Sequence, residues 1–231
     1  GFTHLHINHI GSFWTEVIYG VQMTAIATLI GDVVRSRAAA DRRALHARLE
    51  EVIALVNART DPLQPLRVTV GDEFQGAWAR RGEAVRAALL LRLSFLPEVE
   101  TRYGLGHGEV TALSDDGLVQ DGPGWWQARE AITRAKGDEE SAGSRGRVVR
   151  TRWVEDSPVG LALDAALRHR DLLVADLDER SQRLLRGLLD GTTQRELAEV
   201  EEISPTAVSR RVHRDALDQL VALDAELGAL P

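Results

Sequence analysis

One short segment, Tyr103-Gly104-Leu105-Gly106-His107-Gly108-Glu109-Val110, constrains the fold more than any other part of the chain. Read as a strand, it sends the glycines at 104, 106 and 108 to one face. A strand face without side chains has to lie very close to another backbone or to a ligand. His107 points the opposite way and reads as a core or surface histidine rather than a catalytic base.

The elements around this strand follow from apolar periodicity. Ala25–Ile30 is apolar, partly β-branched and closed by Gly31, which predicts a short buried strand. Leu45, Leu49, Val52 and Val56 recur at helical spacing within a helix expected from about 38 to 57. Pro62 and Pro65 mark a loop. Leu66–Val70 and Phe74–Trp78 then form a hairpin with Gly71-Asp72-Glu73 at its tip. A second helix, about 82 to 96, carries Val85, Leu89, Leu93 and Leu96 on one stripe. Strands follow across 102–110 and near 117–121. The order strand, helix, hairpin, helix, strand is the skeleton of a ferredoxin-like α+β domain. From about Ser157 the chain reads as almost continuous helix. A break near 171–178 divides it into an α+β domain at 23–172 and a helical domain at 173–231.

Residues 1–22 contain no Ala and no Arg, and Met23 is the single methionine, so Met23 is read as the native start and 1–22 as a non-native or disordered leader. His4, His6 and His9 within it match no structural zinc spacing. The absence of cysteine excludes disulfides, a thiol nucleophile and thiolate metal sites, and fits a cytoplasmic protein. A net charge of -7 argues against an overall basic nucleic-acid coat, and no apolar run is long enough to span a membrane.

Two Gly-Asp tips carry the candidate chemistry. The first strand ends in Gly31-Asp32-Val33-Val34-Arg35-Ser36-Arg37, and the hairpin tip reads Gly71-Asp72-Glu73. In a ferredoxin-like sheet these are adjacent central strands, so Asp32 and Asp72 are expected side by side. Neighbouring carboxylates repel unless a cation lies between them, and magnesium with a nucleoside triphosphate is the expected ligand pair. Glu73 is either a third ligand or a solvated turn residue. Gly31 and Gly71 allow backbone to approach phosphate, while N-H groups from Val33 onward, with Ser36 and Arg37, are expected to face the anion. After the Gly122-Pro123-Gly124 turn, Arg129, Thr133 and Lys136 share one helix face. Arg129 and Lys136 are the cations expected to address triphosphate charge. Trp125 and Trp126 are expected in the core.

These blocks, together with Ala128-Arg129-Glu130-Ala131, resemble the SatD family from Met23 to the C-terminus. They are more distantly similar to the palm domains of class III nucleotidyl cyclases and GGDEF enzymes. That resemblance implies metal-binding roles for Asp32 and Asp72 over a nucleoside triphosphate. Two departures stand out. The purine-reading lysine of the cyclases would fall on the strand before the hairpin tip, where Val68 and Thr69 stand. The asparagine that precedes the transition-state arginine falls on Trp125 if that arginine is Arg129; a one-residue shift puts Trp126 and Glu130 there instead.

The stretch Thr193–Val212 resembles the helix-turn-helix of sigma factors and response regulators. Leu197, Ala198, Ile203, Val208 and Val212 form its core, Ser204 is the N-cap and Pro205 the first helical residue. Thr206, Ser209, Arg210 and His213 are then expected at DNA, with Arg211 and Arg214 on flanking faces. Glu201 takes the place of the usual turn glycine, and the acidic first helix leaves a bundle for protein contacts or homodimerisation as the other reading. Together these features describe a cytoplasmic regulator that binds nucleotide with magnesium through a palm-like domain and DNA through its tail. The alternative is an active nucleotidyl cyclase or nucleotidyltransferase with a helical regulatory tail.

Overall fold

The structure is a computed structural model that describes residues 24–38, 40–115, 117, 119–142 and 149–231. The leader, with its three histidines, lies outside the described residues.

Strand β1 (Thr24–Val33) runs into a single 3-10 turn at Ser36–Ala38 and helix α1 (Arg42–Arg59). The hairpin β2 (Gln64–Val68) and β3 (Phe74–Trp78) leads to α2 (Arg81–Phe95) and to the long strand β4 (Thr101–Ala112). A two-residue strand, β5 (Gln120–Asp121), precedes α3 (Pro123–Ala142), after which β6 (Thr151–Val154) returns to the sheet. The order across the sheet is β2-β3-β1-β4-β5, with β6 also paired to β4. Strand β1 is antiparallel to both β3 and β4, so β3 sits between β1 and β2. This mixed α+β sheet has the interleaved order of the expected skeleton.

Strand β6 has no counterpart in the sequence reading. It pairs with β4 in parallel, Tyr103 opposite Thr151 and Leu105 opposite Trp153. Buried Asp171 fixes it, accepting hydrogen bonds from the backbone N-H groups of Arg150 and Thr151 and an ion pair from buried Arg92 of α2 at 2.6 Å.

Helices α1 and α2 cover one face of the sheet, burying Leu29, Val33, Phe74 and Trp78 against Leu49, Val56, Val85 and Leu91. Helix α3 covers the other face, packing its own Trp125, Ala128 and Ile132 onto Ile30 and Ala77. The bare face of β4 lies here: a methyl group on Gly106 would stand 2.6 Å from the N of Ala128 and the O of Gly124, and one on Gly108 would stand 2.9 Å from the N of Gly124. At Gly104 the backbone of Ala128 and Ile132 is closer still. The neighbour demanded by the glycine face is therefore the α3 backbone. Of the two tryptophans expected in the core, Trp125 is buried, whereas Trp126 is exposed and donates its indole N-H to Asp121 at 2.7 Å.

The chain continues through α4 (Pro158–Ala175), α5 (Glu179–Leu189), α6 (Gln194–Val200), α7 (Pro205–Arg214) and α8 (Leu217–Gly228). The stripe Val85, Leu89, Leu93 and Leu96 read for α2 divides: Val85 packs in the sheet-side core, while Leu89, Leu93 and Leu96 pack against Val174, Leu184, Leu185, Val208 and Leu217 of these helices. Ser204 and Pro205 open α7 as expected, and Thr193 with Glu196 forms a capping box at α6. The left-handed residue between them is Glu202, at φ 54°, and not Glu201, which has ordinary backbone angles and pairs with Arg180 and Arg183. Among the described residues no helix is long and apolar enough to cross a membrane.

Gly106→Ala is expected to destabilise the fold by about 2–4 kcal/mol, because added volume meets backbone and not a movable side chain. Gly137→Ala, on an open part of helix α3, should instead stabilise by about 0.5–1 kcal/mol. Urea denaturation of both variants checks the pair, and an unchanged midpoint for Gly106→Ala would contradict the close seating.

Candidate functional site

The candidate site lies at the end of β1, beside the hairpin tip. Ladder pairing sets Gly31 opposite Phe74 on β3 and Asp32 opposite Arg102 on β4. Alternation turns Asp32 toward α3, with its side chain 9% exposed. Arg102 grips it with a fork, Nε on Oδ1 at 2.8 Å and Nη2 on Oδ2 at 3.3 Å. Lys136 of α3 reaches the same Oδ2 at 2.7 Å. Two turns earlier on α3, Arg129 makes a two-pronged pair with Glu73, both bonds at 2.6 Å. The hydrogen bond to Glu73 pushes the Arg129 guanidinium up against the opposing effect of desolvation, and the charges of Glu73 and Asp32 add to the rise. Thr133, on the same face, donates to the carbonyl of Arg129 and touches neither tip.

Asp72 serves the backbone. Its Oδ2 accepts the N-H of Val33 at 3.2 Å, which ties the hairpin tip to the residue next to Asp32. The N-H of Val34 is also taken, by the carbonyl of Glu100 at 2.8 Å, and Asp41 caps the first turn of α1. The N-H groups that the sequence reading aimed at an anion are therefore engaged within the protein at Val33 and Val34. Gly31 faces the ring of Phe74, so its missing side chain is accounted for by core packing. Gly71 is exposed at φ 67°, a turn conformation that favours glycine. The Arg37 side chain lies outside the described part.

On the α1 side, Ser36 and Asp72 open into a cleft of about 770 Å³ between α1 and the hairpin, lined further by Arg42, His46, Glu50 and Thr69. Asn57 closes its floor, exchanging two hydrogen bonds with the backbone of Leu66. On the other flank, Arg102 continues through Nη1 to Glu139 at 2.9 Å, and Glu139 accepts from Arg150, which reaches Glu100. Sequence reading missed Arg102 and Glu139. The signal for Arg102 was available once β1 and β4 are set antiparallel, since an opposite charge then faces Asp32 directly. His107 lies apart from this cluster; burial and the Arg81 charge push its imidazole down, with Glu155 opposing.

A magnesium ion at Asp32 and Asp72 needs carboxylate oxygens not already matched with positive groups. Both oxygens of Asp32 are taken by Arg102, and one also by Lys136. Among the described residues no group of three or more His, Asp or Glu is placed to hold a metal. The donor set in this arrangement does not fit a divalent ion.

The six residues expected at DNA divide. Thr206, Arg210 and His213 are exposed on α7, and Ser209 is half-buried. Arg211 instead grips Asp178, at 2.6 and 2.9 Å, and Ser181. The Arg211 hydrogen bond, helped by the N-H of Ser181, lowers the Asp178 carboxyl to about 2. Arg214 pairs with Asp215 at 2.6 Å.

Fold and site define a class: an α+β sheet domain with two acidic tips, a helix that brings Arg129 and Lys136 to them and a helical C-terminal part. The chain belongs to the SatD family, whose family model matches residues 26–221. A search of curated proteins returns no match. Solved structures similar to this chain include nucleotidyl cyclase domains. The catalytic core of a rhodopsin-guanylyl cyclase with converted specificity, in complex with ATPalphaS, is 18% identical with a TM-score of 0.42, covering 48% of this chain and 72% of that one. The monomeric guanylyl cyclase domain of RhoGC from Blastocladiella emersonii is 16% identical with a TM-score of 0.39, covering 48% and 75%. The guanylate cyclase domain of RhGC from Catenaria anguillulae, in complex with GTP, is 17% identical with a TM-score of 0.38, covering 48% and 73%.

Asp32→Asn leaves the largely buried Arg102 without its forked partner and should cost about 2–4 kcal/mol of stability, measured by urea unfolding at neutral pH. A loss below about 0.5 kcal/mol would mean that the pair is merely superficial.

Proposed function

We propose that this SatD-family chain is a regulator that binds a nucleoside triphosphate at the acidic tips and responds through its C-terminal helices. The observation that carries the reading is the gathering of Arg102, Arg129 and Lys136 at the end of β1, beside a cleft large enough for a nucleoside. Phosphate oxygens accept the same charge-assisted hydrogen bonds that Asp32 and Glu73 accept in the protein. Arg129 and Lys136, half-exposed, can exchange a carboxylate for a phosphate at little cost in burial. Ser36 and Asp72 line the cleft, and the Asp72 bond to the Val33 N-H joins its rim to the strand end that holds these cations.

Binding without turnover is favoured over cyclisation. Val68 and Thr69 stand where the purine-reading lysine belongs in the cyclase resemblance. Trp125, at the asparagine position when Arg129 is the matched arginine, is buried with its indole N-H on Gln120. Titration calorimetry of the full chain with ATP and with GTP should show binding that Arg129→Met or Lys136→Met weakens about tenfold or more, the loss of one charge-assisted contact. A wild-type protein that takes up neither triphosphate removes the reading. Cyclic product from triphosphate incubated with magnesium or manganese, detected by mass, would replace it with the enzymatic alternative.

The response element in this reading is a helix-turn-helix made of α6 and α7, with DNA as its partner. Its support is that Thr206, Arg210 and His213 stand exposed, with Arg210 and His213 making no ion pair among the described residues. Arg211 and Arg214 serve the bundle instead. In electrophoretic shift assays Arg210→Ala should weaken DNA binding and reduce the salt slope by about 1. No retarded species at low salt, across genomic fragments, would exclude DNA as the partner.

A further inference from the structure

The two cations on Asp32 occupy the place where a divalent ion would be sought, and they are held there by independent constraints. Arg102 is the direct cross-strand partner of Asp32 in the β1–β4 ladder, so the backbone fixes its distance. Its guanidinium is engaged on two sides, with Nε and Nη2 on Asp32 and Nη1 on Glu139. Swinging it away to admit an ion would therefore break both attachments. Glu139 is shared with Arg150, which in turn reaches Glu100, so the contacts alternate in sign from Lys136 to Glu100. Such an alternating chain already neutralises each carboxylate, and an added double charge would meet the fixed Arg102 and the charge of Lys136 before it met a free oxygen.

For Lys136 it is the backbone that is fixed, while the half-exposed side chain can exchange partners. The backbone position depends on α3, and α3 is seated directly on the glycine face of β4. Helix and sheet cannot separate to make room for an ion without unpacking that contact. Asp72 is not a full alternative centre, because Oδ2 accepts the Val33 N-H and the remaining oxygen is one ligand of the roughly six that a hard divalent ion takes.

We infer that Arg102 and Lys136 stand in for the divalent cation at Asp32, so that the acidic tips hold no metal and any phosphate ligand binds there without one. The first half of this inference is independent of the nucleotide reading, since its probe is the metal alone.

Manganese binding to the full chain, followed by electron paramagnetic resonance, tests it, with Asp32→Asn measured alongside so that only Asp32-dependent binding is counted. Wild-type protein is expected to show none. Arg102→Met/Lys136→Met is expected to gain an Asp32-dependent site at least about tenfold tighter, from removal of two charges beside the ligand. Lys136→Met alone, at a half-exposed position that leaves the β4 pair intact, should gain part of that affinity and keeps the test open if the double variant does not fold. Asp32-dependent manganese binding by wild type would overturn the inference. So would variants that fold and bind manganese no better than wild type. For the second half, triphosphate affinity unchanged by excess chelator supports it, and affinity abolished by chelator overturns it. A wild-type chain that binds no triphosphate under either condition defeats the nucleotide reading and the second half with it, while the manganese result stands.

Discussion

The contact between α3 and the bare face of β4 is the constraint on which the rest of the site hangs. Three glycines in alternate positions remove the side-chain layer that ordinarily separates a helix from a sheet. Backbone then packs on backbone, with Gly106 and Gly108 against Gly124 and Ala128. The helix is thereby brought low over the end of β1, close enough for Arg129 to reach Glu73 and for Lys136 to reach Asp32. With ordinary side chains on that strand the helix would ride higher, and neither pair would close at its observed distance.

The electrostatics of the site follow from this geometry. Two acidic tips that look alike in the sequence have different surroundings. Asp32 is turned toward α3 and enclosed by positive charge, whereas Asp72 is turned to the backbone of its neighbouring strand. A carboxylate that spends one oxygen on an N-H acts as a strut, holding the hairpin tip beside β1. The acidic tips are thus as much a structural device as a chemical one.

The parts of this arrangement that were legible in the sequence are those set by local periodicity. The glycine alternation announced a close backbone neighbour, the apolar stripes located α1 and α2, and Ser204-Pro205 marked the start of α7. What stayed hidden depends on partners far along the chain. Strand β6 is a four-residue parallel addition whose register is fixed by Asp171, and no local pattern reports that. Arg102 becomes the partner of Asp32 only when the antiparallel register is known. The reason for Gly31 is a ring on another strand, and the left-handed residue before α7 is a glutamate where glycine is the usual signal.

Helix α2 is apolar on nearly all sides because it serves two cores. Ala84, Val85, Ala88 and Leu91 belong to the sheet side, and Leu89, Leu93 and Leu96 to the side of α5, α7 and α8. Arg186 of α5 adds a polar clasp, donating to the carbonyls of Leu93 and Leu96. The sheet and the tail helices therefore share a party wall. Excising either portion would strip one face of that wall and leave a leucine ridge in water, so dissection into autonomous fragments favours sticky, self-associating pieces over faithful miniatures of the whole.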